Sequence, residues 1–483
     1  MVEESRSRTL YIGGEFRDSE SETSIPVVNP ATEATITNVP AASDSEVGAA
    51  CRAAENARID WAMRPARERG DLLRSVGDVI RDHVDELAEI VVREQGKPLE
   101  AAREEVVYAA DNADYVAEWD RRLEGEIVPS DRREESIHLL RKPVGVVASI
   151  TPWNYPVALF LRKVAPALLT GNTVVAKPSE VTPLSTIRLV ELIDDELDVP
   201  SGVCNLVTGG GRVGSRLVDA DEIDMVTMTG SVETGKRIMK QAADDLTRVS
   251  LELGGNAPAI VWHDADLDAA VEDLVVARIS NAGQVCTCAE RVYVHEDVSE
   301  EFTRKYVAAM EDVTMGDPFS NPDMGPHVDD RELEKTERAV ATARSQGATI
   351  ATGGSRPTSS EFESGYWYEP TVVTDVGQDM DVVTREIFGP VTPIVTVGSL
   401  DEAIANANDT RYGLSAFLFT SDYRTAMRVV DELAFGETYV NRTMGEALQG
   451  FHVGWKESGL GGEDGKHGVL KYTQLKSVYH DWS

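Results

Sequence analysis

Two short polar islands in this chain carry residue types that do chemistry together. The first, Asn281-Ala-Gly-Gln-Val-Cys-Thr-Cys-Ala-Glu-Arg291, sets Cys286 on a loop between a helix-like segment (266–280) and a strand-like one (291–295). The second, Leu251-Glu-Leu-Gly-Gly-Asn256, puts Glu252 at a Gly-Gly turn 34 residues earlier. A loop thiol and a carboxylate at a flexible turn are the parts needed for covalent catalysis followed by attack of water. A single cysteine is more often a small core hydrophobe than a nucleophile. The pairing with Glu252 and the loop setting favour the nucleophile here.

Elements on both sides must position these islands. From Val144 the chain alternates apolar strands (144–150, 173–177, 203–207, 225–229) with helices, which predicts a parallel sheet covered by helices. Dinucleotides bind at the C-terminal ends of such strands. Gly209-Gly-Gly-Arg-Val-Gly214 fits a GxGxxG phosphate loop literally, after a strand and opening a helix. A second strand–helix alternation follows Glu252, through 257–262, 266–276, 291–295, 299–309, 392–397, 400–407 and 415–420. Upstream, residues 1–40 read as short strands and turns. Ser43-Asp-Ser-Glu46 reads as a capping box, and helices are predicted over 67–83, 84–95 and 99–121, interrupted by Gly96-Lys-Pro98. Residues 124–141 alternate as a two-strand ribbon, which the final Val478-Tyr-His strand is expected to join.

Composition narrows the function classes. At 483 residues two or three domains are expected, and 42% hydrophobic content supports globular packing. The formal charge of −36, spread along the chain, argues against nucleic acid as a partner. No apolar run is long enough to span a bilayer, and Met1-Val-Glu-Glu-Ser-Arg lacks a signal-peptide core, so a cytoplasmic protein without membrane partners is expected. Four cysteines make no disulfide framework, and no metal site is expected, since Cys286 and Cys288 lack His companions. Only 12 of 47 basic residues are lysine, which with the dispersed acid suggests adaptation to high salt.

The islands also carry a resemblance. Glu252-Leu-Gly-Gly-Asn256, Gly283-Gln-Val-Cys286, Pro152-Trp-Asn-Tyr155, Lys177-Pro-Ser-Glu180, Thr229-Gly-Ser231 and Glu386-Ile-Phe-Gly-Pro390 resemble motifs of the aldehyde dehydrogenase superfamily, in its order. Cys286-Thr-Cys-Ala-Glu-Arg291 and Gln449-Gly-Phe-His-Val-Gly-Trp455 most resemble bacterial lactaldehyde and glycolaldehyde dehydrogenases. The resemblance implies an α/β fold with a Rossmann-type NAD-binding domain (1–123 and 143–252) and an α/β catalytic domain (253–463). An oligomerisation ribbon (124–142 and 464–483) would pair with another subunit of a homo-oligomer, dimer or tetramer.

It also implies roles. Cys286 would add to an aldehyde, Asn154 and the Cys286 backbone N–H would hold the oxyanion, and Glu252 would activate water against the thioester. Cys288, off the nucleophile position, reads as a packing residue. Lys177, counted with the catalytic set, and Glu180 would hold the adenosine ribose, where a carboxylate repels the extra phosphate of NADP. NAD is therefore expected, with NADP the alternative. The cofactor phosphates would lie near Gly230 and Ser231, leaving Gly211 and its neighbours as a turn beside the adenine. Glu386 would meet the nicotinamide ribose, with Phe388 packing nearby. Arg162, Glu446 and His452 would border the aldehyde tunnel and hydrogen-bond a substrate hydroxyl; ion-pair or surface roles are the plain alternative. Thr287 departs from the amide residue expected in close relatives of the lactaldehyde branch. The rival readings are a semialdehyde dehydrogenase for a carboxylated substrate such as 2-oxoglutarate or succinate semialdehyde, and a catalytically silent relative.

Overall fold

The computed structural model describes residues 8–483; the Met1–Arg6 stretch read for a signal segment lies outside them. In the larger sheet five parallel strands run side by side in the order Arg248–Glu252, Met225–Thr229, Val146–Ile150, Thr173–Lys177 and Cys204–Leu206. Their apolar residues alternate between two cores because successive side chains of a strand point to opposite faces. Val147, Val174 and Ala176 pack with the helices Ala66–Asp82, Leu99–Ala117 and Pro156–Leu169. Val146, Ala148, Val175 and Val226 pack on the other side with Asp44–Met63, Gly211–Val218 and Val232–Ala242. Burial on both faces is why these strands read as continuous hydrophobic runs. The Asp44–Met63 helix begins with the capping box read from sequence: Glu46 N donates to Ser43 Oγ at 3.3 Å and Ser43 N to Glu46 Oε2 at 2.7 Å.

The second sheet has the order Thr349–Thr352, Thr371–Thr374, Val391–Val397, Ala289–His295, Ala257–Val261, Ser415–Phe419 and Glu437–Val440, all parallel except at the Thr349–Thr352 edge. Gly459–Leu460, inside 253–463, returns to the first sheet and pairs antiparallel with Leu251 and Glu252. The ribbon has three strands: Thr473–Asp481, which contains the Val478-Tyr-His stretch, lies antiparallel along Glu135–Pro143, with Glu126–Val128 on its far side. A short helix, Gly465–Leu470, precedes that last strand. Among the described residues no helix is long and apolar enough to cross a membrane.

Candidate active site

The site forms where the parallel strands of the first sheet end. Asn154 follows Val146–Ile150, Ser231 follows Met225–Thr229, and Glu252 closes Arg248–Glu252. The thiol arrives from the other sheet. After the helix Leu267–Ile279 the chain passes through left-handed backbone at Asn281, Ala282 and Gly283 (φ 51°, 56° and 75°) before reaching Cys286. Such geometry is unfavourable for Ala and is held by its surroundings. A Cβ on Gly283 would lie 2.4 Å from the Gly389 carbonyl, so only glycine fits there. Gln284 ties the turn: its Nε2 donates to Asn281 O at 2.8 Å, and its Oε1 accepts from Val328 N at 2.9 Å. The two islands touch at Gly255, where a Cβ would meet the Cys286 carbonyl oxygen at 2.2 Å. That contact accounts for Gly255, while a Cβ on Gly254 would meet the Glu386 carboxylate at 2.5 Å.

Cys286, Glu252 and Asn154 line one cavity of about 670 Å³. Asn154 Nδ2 donates to Gln284 O at 3.0 Å, while its own backbone carbonyl accepts from Asn281 Nδ2 at 3.1 Å and from Lys97 Nζ at 2.9 Å. Lys97 is buried with Glu105 at 2.5 Å and lies 3.7 Å above the Tyr155 ring. Glu105 in turn accepts from Val157 N at 2.9 Å, at the start of the Pro156–Leu169 helix. This web fixes the backbone that carries Asn154. Sequence reading passed over Lys97 as part of a helix break; a lysine between Gly96 and Pro98, with Glu105 eight residues on, is the signal that could have found it.

Glu252 is 2% exposed, and neither of its oxygens has a hydrogen-bond partner. Burial pushes its carboxyl up to about 7, against the pull of His452. A buried carboxyl poised there can take a proton near neutral pH. Cys286 retains partial exposure, whereas Cys288 is fully buried and its thiol is pushed up to about 12 by burial. Of the two thiols only Cys286 has the access a nucleophile needs.

The tunnel residues meet at His452. Its Nδ1 lies 3.2 Å from Glu437 Oε1 and 3.6 Å from Glu446 Oε1, and its Nε2 lies 4.0 Å from Glu252 Oε2. Burial raises Glu446, but the charges of His452 and Arg162 hold it below its ordinary range. Arg162 lines the same cavity and is paired with Asp464 and, at 3.5 Å, with Glu463. Glu463 also pairs with Lys163 and with Lys471 at 3.5 Å. Glu437, Glu463 and Asp464 were not singled out from sequence, because they reach the site through strand ends and a loop far along the chain. Thr287 lines the cavity beside Met444, its Oγ1 3.9 Å from the sulfur.

At the other end the cavity is lined by Thr229, Gly230, Ser231, Glu386 and Phe388. Ser231 caps the Val232–Ala242 helix by accepting from Thr234 N at 3.2 Å. Glu386 Oε1 accepts from Gly255 N at 2.8 Å, and burial pushes its carboxyl up to about 7. Phe388, at φ 59°, packs edge-on against Trp153 and beneath Lys335, a residue not picked from sequence. Glu290 fixes this turn by accepting from Ile387 N and Phe388 N at 2.8 and 3.0 Å.

Lys177, Glu180 and Gly211 stand apart: they line no part of the cavity around Cys286. Lys177 ends the strand Thr173–Lys177 of the first sheet. Its Nζ donates to Gly209 O and Pro178 O at 2.7 and 2.9 Å, and lies 3.6 Å from Glu180. Gly211 opens a helix, and a Cβ built on it would meet nothing within 4 Å; the glycine beside Glu180 is Gly210, where a Cβ would lie 3.4 Å from Glu180 Oε1.

Two largely parallel sheets that bring a loop thiol and a buried carboxylate to one cavity define a class of covalent catalyst, and the chain belongs to the Aldehyde dehydrogenase family, whose model matches residues 16–478. It is 46% identical to lactaldehyde dehydrogenase of Escherichia coli, over 97% of this chain and 98% of that one. The crystal structure of the E. coli enzyme superposes with a TM-score of 0.96 at 45% identity, over 98% and 99% of the two chains. It is 41% identical to D-glyceraldehyde dehydrogenase (NADP(+)) of Picrophilus torridus, over 98% and 96%. Mitochondrial succinate-semialdehyde dehydrogenase of Arabidopsis thaliana is 39% identical, over 97% and 88%.

Proposed function

We propose that this enzyme oxidises a small 2-hydroxy aldehyde, such as lactaldehyde or glycolaldehyde, to its carboxylic acid, with NAD as the hydride acceptor. The observation that carries the substrate reading is the polar cluster on the cavity wall. His452, Glu446 and Arg162 line the space that also holds Cys286, and Glu446 keeps an acceptor carboxylate there. Lactaldehyde and glyceraldehyde, the substrates named for two of the relatives, both carry a hydroxyl next to the aldehyde.

The chain's own residues supply the acid–base and covalent work. The Cys286 thiolate attacks the carbonyl carbon, and the resulting oxyanion takes hydrogen bonds from Asn154 Nδ2 and the Cys286 N–H. The chemistry supplied by a bound nicotinamide is acceptance of hydride from that adduct, which leaves a thioester on Cys286. Glu252 then removes a proton from water as the water adds to the thioester carbon. Collapse expels the thiolate and releases the acid. The unpartnered oxygens of Glu252, within a cavity shared with Cys286, support its part as base.

The residues present fit a dinucleotide. The Lys177 ammonium and Glu180 carboxylate offer a donor and an acceptor for two ribose hydroxyls beside Gly210. Gly230, Ser231 and the start of the Val232–Ala242 helix suit phosphate. Glu386 and Phe388 suit the nicotinamide end of the cavity. Glu180 favours NAD over NADP by charge.

The second reading, a semialdehyde dehydrogenase, draws on Arg162 and on the succinate-semialdehyde relative. Arg162 is already matched by Asp464 and Glu463, and Glu446 would repel a substrate carboxylate. A silent relative would need one of Cys286, Glu252 or Asn154 to be missing. The deciding assay is kcat/KM for lactaldehyde, propanal and 2-oxoglutarate semialdehyde with NAD and with NADP. Lactaldehyde should lead by ten-fold or more, about what one unpaired buried polar group costs. Equal values for all three would reject both specific readings, and no aldehyde-dependent NADH formation would support the silent one.

The ribbon exposes Leu475 and Tyr479 on one face and Ile127 on the other, apolar side chains suited to a second copy of the chain. We infer a homo-oligomer, to be checked by light scattering across salt concentrations.

A further inference from the structure

Three carboxylates converge on the one imidazole of His452. Its Nδ1 lies 3.2 Å from Glu437 Oε1 and 3.6 Å from Glu446 Oε1, while its Nε2 faces Glu252 Oε2 at 4.0 Å. Nδ1 carries at most one proton, so a hydrogen bond there serves Glu437 and leaves Glu446 beyond hydrogen-bond distance. Among the described residues no other three side chains of His, Cys, Asp and Glu gather their donor atoms as these do, all within 4.8 Å of one another.

These spacings suit a metal cation better than a shared proton. Two ligands of a tetrahedral zinc ion, each about 2.0–2.1 Å from the metal, stand about 3.3 Å apart. The two separations at Nδ1 bracket that value. Glu446 follows Gly445 (φ 137°) in irregular backbone, so its carboxylate can turn to close the set. Supporting contacts are already in place. Tyr439 Oη donates to Glu437 Oε2 at 3.0 Å, which fixes that carboxylate and leaves Oε1 for the ion. The His452 backbone is held by paired bonds with Glu463, at 2.9 and 2.7 Å.

The second, independent observation is Glu252, buried and with neither oxygen hydrogen-bonded. A metal on Nδ1 fixes the imidazole proton on Nε2, the nitrogen that faces Glu252. Histidines that ligate a metal almost always give their other N–H to a carboxylate. An approach of about 1 Å makes this contact a hydrogen bond.

We propose that Glu437, Glu446 and His452 form a site for a divalent transition metal of the zinc type in the wall of the aldehyde cavity, and that the bound ion blocks turnover. One imidazole and two carboxylates are a donor set for such an ion, with a coordination position left open. Glu446 and His452 line the cavity that holds Cys286, so the open position faces it. Cys286 and Cys288 take no part. The ion draws Glu446 and His452 away from a substrate hydroxyl and ties Glu252 to the imidazole instead of to water. The blocking rests on the roles given to these residues in the proposed function; the binding of the ion does not.

The test is Zn²⁺ binding to the full-length protein, read by competition with a chromophoric chelator without cofactor or aldehyde. Wild type should bind one Zn²⁺ per subunit, and Cys286→Ala should match it. Glu437→Gln and His452→Gln should each bind about ten-fold more weakly or worse, as loss of a ligand requires. Wild type binding no more tightly than His452→Gln, the behaviour of scattered surface carboxylates, overturns the site. Loss of binding in Cys286→Ala also overturns it, by placing the ion on the thiol. Should the variants fail to fold, the Co²⁺ spectrum of wild type decides. Visible bands of a low-coordinate ion without a thiolate-to-cobalt charge-transfer band support the site; a thiolate band, or the spectrum of the hydrated ion, overturns it. As Zn²⁺ fills the site, NADH formation from lactaldehyde should be lost, and EDTA should restore it. A filled site with turnover intact would overturn the blocking and the substrate reading behind it, a result distinct from absence of binding.

Discussion

Arg162 and Asp464 form a buried ion pair, with Glu463 3.5 Å from the same guanidinium, so the one arginine of the tunnel is already balanced by carboxylates of this chain. A free arginine would invite a carboxylated substrate; this one does not. Glu446→Ala should therefore lower kcat/KM for lactaldehyde by about 1–3 kcal/mol, roughly 5- to 150-fold, while sparing propanal. A carboxylated semialdehyde should gain from the same change, because a negative charge leaves the cavity. Steady-state kinetics on the three aldehydes check the signs, and an equal loss on all three contradicts the assignment.

Lys97→Met leaves Glu105 buried without its cation. Breaking a buried pair from one side costs about 3–5 kcal/mol, which denaturant unfolding will read. The same change removes the donor to the Asn154 carbonyl, so kcat should fall more than KM rises. Lys97→Arg, which keeps the charge, should restore most of the stability.

Much of this site was legible in sequence because its chemistry is local. Cys286 with Gly283, Glu252 with the Gly254–Gly255 pair, and Asn154 after Pro152 each sit in a short motif whose backbone needs are visible. The Ser43–Glu46 cap was equally plain. Residues that work at long range were not. Glu463 and Asp464 meet Arg162 only after the chain has returned to the first sheet through Gly459–Leu460, Glu437 meets His452 from the edge of the second sheet, and no spacing announces either. Lys177 and Glu180 lie together outside the cavity of the thiol, a separation that their short shared motif does not announce.

Burial lifts Glu252 to about 7 from an ordinary 4.5, so the folded protein binds this proton more tightly than the unfolded chain. The stability it contributes is complete below pH 4.5 and is lost as pH rises through 7. Glu252→Gln, which cannot ionise, should become more stable than wild type on going from pH 5 to pH 8, by at most about 3 kcal/mol. Unfolding curves at the two pH values provide the check; a gain in the other direction contradicts the buried, protonating carboxyl. In the same pH range, thioester hydrolysis by wild type should rise along an inflection near 7, as Glu252 ionises to become a base.

Glu180 lies beside Gly210, with Lys177 3.6 Å away. Glu180→Thr removes the charge that repels a 2′-phosphate, and should raise the NADP-to-NAD ratio of kcat/KM by about ten-fold, the worth of roughly 1.4 kcal/mol of repulsion. Wild type already preferring NADP would contradict this reading of the carboxylate.

The central claim is that Cys286 carries the acyl group and Glu252 delivers the water. Rapid mixing of Glu252→Gln with lactaldehyde and NAD tests it most directly, followed by intact-protein and peptide mass spectrometry. The account predicts a burst of about one NADH per active site, a slow steady state, and an acyl adduct found on Cys286. Cys286→Ala should show neither burst nor adduct, and Cys288→Ala should keep most of the activity. No burst in Glu252→Gln, or an adduct on Cys288, would contradict it.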